Sequence, residues 1–213
     1  MIHALLKSAR PPSLDFLAAG ERARAASMHV ARRRDEFLLG RWAAKSLIAS
    51  VLDCAPGPSL EVRAAASGQP LAFLEGAPLR LSISISHREG LALAALDDQG
   101  SPLGADLEHL EPRSAAFVRD YFTELETEAV ARGDPELVAN LIWSAKESAL
   151  KALGTGLAAD TRSIEVELGP ELAGPWQPLL IRGAPGLQGF WRRHGGHVLT
   201  IVGRPGGEPR LLP

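Results

Sequence analysis

The feature that most constrains the fold is a strict alternation of apolar and polar residues from Leu79 to Ser86. Leucine or isoleucine occupies each odd position of this segment, and arginine or serine occupies each even position. Successive side chains of a strand leave on opposite faces, so the pattern predicts a half-buried strand. A turn-like segment, His87–Gly90, and an apolar run, Leu91–Leu96, follow directly. We therefore expect an antiparallel hairpin here.

Two long segments show helical periodicity instead. In Arg32–Leu52 and Pro135–Leu153 the apolar residues recur every three or four positions, which predicts amphipathic helices. Further patterns predict shorter helices at 114–121 and 123–132, strands at 103–108 and 164–168, and a hairpin pairing 189–193 with 198–202. Helices and antiparallel strands occur in both halves, so the expected class is α+β. The tail from Gly203 is rich in Gly and Pro and is expected to be flexible.

Charge and composition exclude several function classes. The chain has 213 residues and a formal net charge of -2, so no bulk attraction to nucleic acid or anionic membranes is expected and any anion site must be local. A single cysteine, Cys54, excludes an internal disulfide. Neither a leader-like start nor an apolar stretch of about 18 residues is present, so we expect a cytoplasmic protein.

Asp106 and Glu108 are the first candidate metal ligands. They stand two residues apart on a predicted strand, so their side chains leave the same face, roughly 6.5 to 7 Å apart at the backbone. One divalent cation can bridge two such carboxylates. The same spacing alone is more often that of solvent-facing acids at a sheet edge, and this alternative stays open.

Trp143, Glu147 and Lys151 follow one another at intervals of four on the Pro135–Leu153 helix and therefore lie along one face. The alternative to a functional face is an exposed Glu–Lys pair, which is common on helices and stabilises them by only about 0.3 to 0.5 kcal/mol.

Two further groups are candidates for phosphate binding. His87 follows Ser86 at the end of the alternating strand, where an imidazole, a hydroxyl and backbone amides can hold a phosphate. Arg32, with Arg33, Arg34, Arg41 and Lys45 further along the same helix, offers cations for a phosphate monoester. A lone turn histidine is also typical of a surface, and an arginine run of a solvated helix face.

Three blocks occur in an order that resembles a known family. They are Ser84–His87, Leu103–Glu108 and Trp143–Lys151. On these blocks the sequence resembles the surfactin-synthetase-activating type of 4'-phosphopantetheinyl transferase. Weaker agreement extends to Phe122–Glu126 and to the loop Gly154–Leu157, so that the resemblance covers roughly residues 32–168.

The resemblance implies a fold of two similar α+β halves that form a pseudo-dimer, with the coenzyme A site in the cleft between them. The join is expected near Leu103, giving an N-terminal half of residues 1–103. The C-terminal half, residues 104–213, would carry the metal ligands and the flexible tail.

The resemblance also implies the reaction. The 4'-phosphopantetheine arm of coenzyme A would pass to a serine of an apo carrier protein, acyl or peptidyl, with release of 3',5'-ADP. Asp106, Glu108 and Glu147 would ligate Mg²⁺, or Mn²⁺, together with the pyrophosphate. Lys151 would support the same oxygens. Glu147, directly or through a metal-bound water, is the candidate base for the serine proton.

By the same resemblance, His87 with Ser86 would contact the coenzyme A phosphates, and Arg32 with Lys45 the 3'-phosphate. The sequence departs from the family pattern twice. Gln69 stands where a lysine is usual, and Arg88 where a small serine is common. By the resemblance, the first departure would remove or replace one nucleotide contact, and the second would add a phosphate contact or reshape the cleft.

Several alternatives remain at the level of sequence. A degenerate relative would bind coenzyme A or a carrier without transfer, and a phosphohydrolase would use the same acids with water as the nucleophile. The short carrier-synthase subtype, a trimer of chains about half this length, is disfavoured by length and by the tryptophan in the last block. We expect an active monomer, and the sequence leaves open whether its carrier serves fatty-acid, polyketide or nonribosomal-peptide synthesis.

Overall fold

The computed structural model describes residues 1–9, 11–155, 159–169, 175–204 and 206–213. They form two compact units, unit 1 (Met1–Ser101 with Arg210–Pro213) and unit 2 (Pro102–Pro209). Each unit packs helices on mostly antiparallel strands, so the predicted α+β class is confirmed. Within the described ranges, no helix combines the length and apolar character needed to cross a bilayer.

Unit 1 packs one long helix against a sheet. Its elements are β1 (Ile2–Lys7), α1 (Ala19–Ala26), α2 (Ala31–Leu52), β2 (Leu60–Ala64), β3 (Pro70–Leu74), β4 (Ala77–Pro78), β5 (Ser82–Arg88) and β6 (Leu91–Asp97). Strand β6 pairs antiparallel with both β1 and β5, while β2, β3 and β4 form a second sheet. The buried side of α2, including Ala44, Leu47 and Ile48, packs on β6, all of whose residues are buried.

The predicted hairpin is present, although its first strand begins later than the alternation suggests. Strand β5 starts at Ser82, because Leu79 instead donates its backbone N–H to the carbonyl of Ala72 after β4. The turn between β5 and β6 consists of Glu89 and Gly90, both with positive φ (49° and 77°). Two such residues form the tight turn that matches the twist of an antiparallel pair.

The prediction of a flexible tail is wrong for its last residues. Arg210–Leu212 form a short strand parallel to β1, with Arg210 opposite His3 and Leu212 opposite Leu5. Leu212 also packs against the apolar core of unit 1. The backbone N–H and C=O groups along one edge of β1 pair with this terminal strand. Sequence composition does not show such pairing between distant segments.

Unit 2 contains one five-stranded sheet. Its elements are β7 (Leu103–His109), α3 (Ala115–Tyr121), α4 (Glu124–Arg132), α5 (Pro135–Leu153), β8 (Glu165–Leu168), β9 (Gln177–Arg182), β10 (Gln188–His194) and β11 (His197–Gly203). The antiparallel strand order is β7-β11-β10-β9-β8, and the predicted β10–β11 hairpin is confirmed. Helix α5 packs on β7 and β11. The helix with Glu147 therefore lies against the strand with Asp106 and Glu108.

Local signals fix both ends of α5. The Asp134 side chain accepts hydrogen bonds from the N–H groups of Glu136 and Leu137, and Pro135 occupies the first helical position. Gly154 ends the helix in the left-handed conformation, with φ 72°. Gly156 and Leu157, part of the loop used for the resemblance, lie outside the described residues.

Gly104 allows β7 to approach α5 closely. A Cβ at this position would overlap the carbonyl oxygen of Ser148 and lie 2.8 Å from the backbone nitrogen of Ala152. No other residue type fits there without moving one of the two elements. The glycine therefore sets the spacing between the acids of β7 and the side chains of α5.

The two units repeat one order of elements. Apart from β4 in unit 1 and α3 in unit 2, the series β1, α1, α2, β2, β3, β5, β6 of unit 1 corresponds to β7, α4, α5, β8, β9, β10, β11 of unit 2. The strand neighbours match as well, since β1-β6-β5 corresponds to β7-β11-β10. Such a repeat is consistent with two similar halves.

A buried ion pair occurs at the same place in each unit. In unit 1, Glu21 is the third residue of α1 and its carboxylate lies 2.6 Å from the Lys45 ammonium of α2. The same carboxylate accepts hydrogen bonds from the backbone N–H of Ala18 (2.9 Å) and of Val62 on β2 (3.0 Å). Lys45 thus pairs with a buried carboxylate of its own unit.

In unit 2, Glu126 is the third residue of α4 and lies 2.8 Å from the Lys146 ammonium of α5. It accepts from the backbone N–H of Thr123 and of Val166 on β8, each at 2.8 Å. The same arrangement of a glutamate, a lysine and two backbone N–H groups, without detectable sequence repetition, supports the interpretation that the units share one fold.

Candidate active site

Asp106 and Glu108 lie on one face of β7, as their spacing predicts. Asp106 is almost completely buried, with 5% of its surface exposed, and Glu108 is partly buried. Side chains of α5 contact both acids. The alternative of two solvent-facing acids therefore does not describe this pair.

Lys151 reaches from α5 to β7. Its ammonium donates to Oδ1 of Asp106 at 2.7 Å and to the carbonyl of Ala105 at 3.1 Å. The partner of Lys151 is thus an acid on another element, and the alternative of an exposed Glu147–Lys151 helix pair is not what the structure shows.

Glu108 accepts hydrogen bonds at both carboxylate oxygens. The Trp143 indole N–H donates to Oε1 at 3.2 Å, and the Arg113 guanidinium donates to Oε2 at 3.1 Å. Trp143 therefore belongs to the same face of α5 as Glu147 and Lys151, as predicted. Arg113 comes from the segment after β7.

Glu147 is the acid that lacks such support. Its Oε1 is buried and accepts no hydrogen bond from any of the described residues. Burial, together with the nearby charges of Asp106 and Glu108, raises the pKa of Glu147 to about 7, although Lys151 opposes the shift. Near neutral pH this carboxyl group is therefore balanced between its acidic and basic forms.

The three predicted metal ligands were tested for their fit to a divalent cation. As placed, no group of three or more His, Cys, Asp or Glu side chains in the described part of the chain is arranged to hold a metal ion. Lys151 and Arg113 instead bind Asp106 and Glu108. The three carboxylates are nevertheless the kind of hard oxygen ligand that a divalent cation prefers. The charges of Asp106 and Glu108 raise the pKa of Glu147, and its buried Oε1 accepts no hydrogen bond from the described residues.

In unit 1, His87 lies at the end of β5 beside a cavity of about 440 Å³. The polar side chains that line this cavity are Arg33, Glu36, Arg41 and His87. His87 Nδ1 is 3.9 Å from the Glu36 carboxylate, and the His87 side chain is 41% exposed. Ser86 is buried next to it in the strand.

The two cations predicted for the 3'-phosphate are placed differently from each other. Arg32 is exposed on the first turn of α2 and donates to Glu36 at 2.9 Å. Lys45 has no exposed surface, and besides Glu21 it binds the carbonyl oxygen of Phe16 at 2.6 Å. The Lys45 ammonium thus has its partners within unit 1, and its predicted contact with the 3'-phosphate stays a prediction. Arg33 and Arg41, which sequence reasoning ranked lower, line the cavity.

The two departures from the family pattern lie in unit 1. Gln69 is exposed in the β2–β3 turn, between the cavity-lining residues Gly68 and Pro70. Arg88 ends β5 and is partly buried.

Two residues of the site were missed by sequence reasoning. Arg113 and Asn140 are hydrogen-bonded to each other at 2.7 Å, and Asn140 is completely buried on α5. The available signal was a polar residue on the apolar stripe of a strongly periodic helix, since a buried asparagine needs partners.

Residues 102–202 match the family model described as the 4'-phosphopantetheinyl transferase superfamily. The matched segment lies inside unit 2 and contains all three acids, Lys151 and Arg113. The match supports transferase enzyme activity, and phosphopantetheinyl transfer as its general chemistry. No curated protein matches the chain significantly.

Proposed function

From the superfamily match over residues 102–202, we propose that this chain transfers the 4'-phosphopantetheine arm of coenzyme A to a serine of an apo carrier protein and releases 3',5'-ADP. The observation that carries the proposal is the state of Glu147. This buried carboxyl group lies beside Asp106 and Glu108, has an oxygen that accepts no hydrogen bond from the described residues, and in the metal-free chain has a pKa of about 7.

Asp106, Glu108 and Glu147 are the residues proposed to hold Mg²⁺, or Mn²⁺ in its place. When bound, the cation would neutralise the pyrophosphate of coenzyme A and stabilise the leaving 3',5'-ADP. Two observations support this proposal. All three residues offer hard carboxylate oxygens, and the charges of Asp106 and Glu108 raise the pKa of Glu147.

The proton of the carrier serine needs a base, and Glu147 is the candidate. The serine Oγ forms a bond to the phosphorus next to pantetheine, and the bond from that phosphorus to the bridging oxygen breaks, with the electron pair leaving on 3',5'-ADP. Glu147 is the residue proposed to accept the serine proton, because its Oε1 accepts no hydrogen bond from any described residue. Lys151, once released from Asp106, is available to bind phosphate oxygens.

For the phosphates of coenzyme A, unit 1 offers the cavity lined by Arg33, Arg41 and His87. We propose these three, with Ser86 and the exposed Arg32 nearby in sequence, as the anion-binding residues of this unit. Lys45 is left out, because its ammonium is buried against Glu21. Glu36 lies in the same cavity and makes it less cationic than its arginines alone would.

We further propose the surfactin-synthetase-activating subtype. The support is the repeat of element order and of the buried Glu–Lys pair within a single chain of 213 residues. We expect a monomer to be active, which light scattering of the active fraction would test.

The decisive experiment is the intact mass of apo carrier proteins after incubation with this chain, coenzyme A and Mg²⁺. Carriers of the fatty-acid, polyketide and peptide types are tested in parallel. We expect at least one to gain the mass of the arm, and Glu147→Gln to abolish the gain. Glu128→Gln, an exposed acid on α4, serves as the matched control. No gain with any carrier would overturn the proposal in favour of a binding module. Release of phosphate or nucleotide without a carrier would indicate a hydrolase.

A further inference from the structure

Glu108 is the most restrained of the three acids. Each of its oxygens accepts one hydrogen bond, from Trp143 on α5 and from Arg113 after β7. Its side chain is therefore oriented before any ligand arrives.

Arg113 is itself fixed by three contacts besides Glu108. Its Nε donates to Oδ1 of Asn140 at 2.7 Å, its Nη1 lies 3.3 Å from Glu111, and its guanidinium stacks at 5.0 Å from the centre of the Phe117 ring. The Arg113 side chain is only 15% exposed. Only a guanidinium, with donors in a rigid planar fork, serves two acceptors and a ring face at once.

Asn140 connects this arginine to α5. Its amide nitrogen donates to the carbonyl oxygens of Glu111 (2.7 Å) and Glu136 (2.8 Å), while its oxygen accepts from Arg113. All of its hydrogen-bonding groups are thus used, although the residue is completely buried. Because Glu147 lies on the same helix, Asn140 links the position of Glu108 to that of Glu147.

We propose that Arg113, held by Asn140, is a positioning residue that fixes the Glu108 carboxylate for cation binding at the candidate active site. The inference rests on the proposed function, because it assumes that Glu108 is a ligand. Groups that orient the ligands of a metal commonly change its affinity by about 10- to 100-fold when they are removed.

Charge and geometry make opposite predictions for Arg113. If the arginine acted only through its charge, replacing it by a neutral residue would tighten cation binding, since a repelling charge is lost. If it orients Glu108, the same replacement weakens binding. The sign of the change therefore separates the two explanations.

The first experiment measures binding of Mn²⁺ to the full-length chain by electron paramagnetic resonance, with and without coenzyme A. We expect Arg113→Gln and Asn140→Ala to raise the Mn²⁺ dissociation constant by about tenfold. Arg113→Lys should recover only part of the loss, because lysine keeps the charge but not the fork. Arg132→Gln, which removes an exposed arginine paired with Glu128, is the control and should bind as the unaltered chain does.

A second readout needs no metal. The indole N–H of Trp143 donates to Glu108, so its nuclear magnetic resonance signal, assigned with Trp143→Phe, reports the position of that carboxylate. We expect Arg113→Lys to shift this signal and to speed its exchange with water, while Arg132→Gln leaves it unchanged. Circular dichroism verifies that each variant is folded.

The outcomes separate this inference from the proposed function. If folded Arg113→Gln binds Mn²⁺ as tightly as the unaltered chain or more tightly, or if the Trp143 signal does not move, the positioning role is overturned. If the unaltered chain and Glu147→Gln show the same Mn²⁺ binding while Arg113 variants still move the Trp143 signal, the metal assignment fails and the orientation of Glu108 stands.

Discussion

The Lys151 ammonium lies 2.7 Å from Asp106, whereas Glu147, one turn earlier on the same helix, has a buried oxygen with no donor among the described residues. A cation and an anion spaced by four on α5 are therefore not each other's partners. The Lys151 ammonium pairs with Asp106 on β7, and Glu147 on α5 keeps an elevated pKa.

Replacing Lys151 by Gln should destabilise the metal-free chain and leave the cation-bound chain less affected. Without the ammonium, the nearly buried Asp106 loses its partner beside two other acids. Breaking a fully buried pair costs about 3 to 5 kcal/mol, but Lys151 is 30% exposed, so we expect roughly 1 to 2 kcal/mol. Urea unfolding with chelator and with excess Mg²⁺ measures the difference, with Arg132→Gln as control. An equal loss in both conditions would contradict this interpretation.

Glu147 should make the metal-free chain less stable as pH rises. Its pKa is about 7 in the folded chain, against an ordinary value of 4.5, so the folded state binds the proton more tightly than the unfolded state. This contribution is fully present below the ordinary pKa and is lost as pH rises through 7, by at most roughly 3 kcal/mol. Unfolding at about pH 5 and about pH 8 with chelator present should show Glu147→Gln gaining stability relative to the unaltered chain. A pH-independent difference between the two proteins would refute the shift.

Local periodicity predicted the parts of the fold that repeat over many residues. Both long helices, the β5–β6 hairpin and the β10–β11 hairpin were found from spacing alone. Strand β1 and the terminal strand were missed, because Ile2–Lys7 is short and lies between two neighbours, which leaves no clear alternation. Pairing with a distant strand is a tertiary property that no local pattern contains.

Within the candidate site, too, local spacing predicted some residues, while residues with partners distant in sequence were not predicted. The acids of β7 and the functional face of α5 were predictable, since a period of two or of four places them. Lys45 and Arg113 were not, because the partner of Lys45 is 24 residues away and Asn140 lies 27 residues from Arg113. A lysine on a helix has the same sequence signature whether it faces a ligand or a buried carboxylate.

Gly104→Ala tests whether close contact between β7 and α5 sets the site. The added Cβ would overlap the Ser148 carbonyl, so β7 must move away from α5 or the helix must shift. Overpacking of this kind costs about 1 to 3 kcal/mol. We also expect weaker Mn²⁺ binding in molecules that still fold. Gly57→Ala is the matched control, because nothing lies within 4 Å of its Cβ position. A variant with unchanged stability would show that the two elements yield without cost.

The repeated ion pairs supply the last prediction. Lys146→Met leaves the buried Glu126 without its cation and should lower the free energy of unfolding by about 3 to 5 kcal/mol. Lys45→Met should cost less, because Arg41 remains 3.6 Å from Glu21. Changing the partner as well, as in Lys146→Met with Glu126→Gln, should restore part of the loss, since the buried carboxylate that lacked its cation is then gone. Urea unfolding measures both.

Binding of coenzyme A to folded Lys45→Met, compared with binding to folded Arg33→Gln, distinguishes a structural role of Lys45 from a role in phosphate binding. Unchanged affinity per folded molecule in the lysine variant and reduced affinity in the arginine variant would establish Lys45 as a structural residue. The reverse result would return it to the phosphate site.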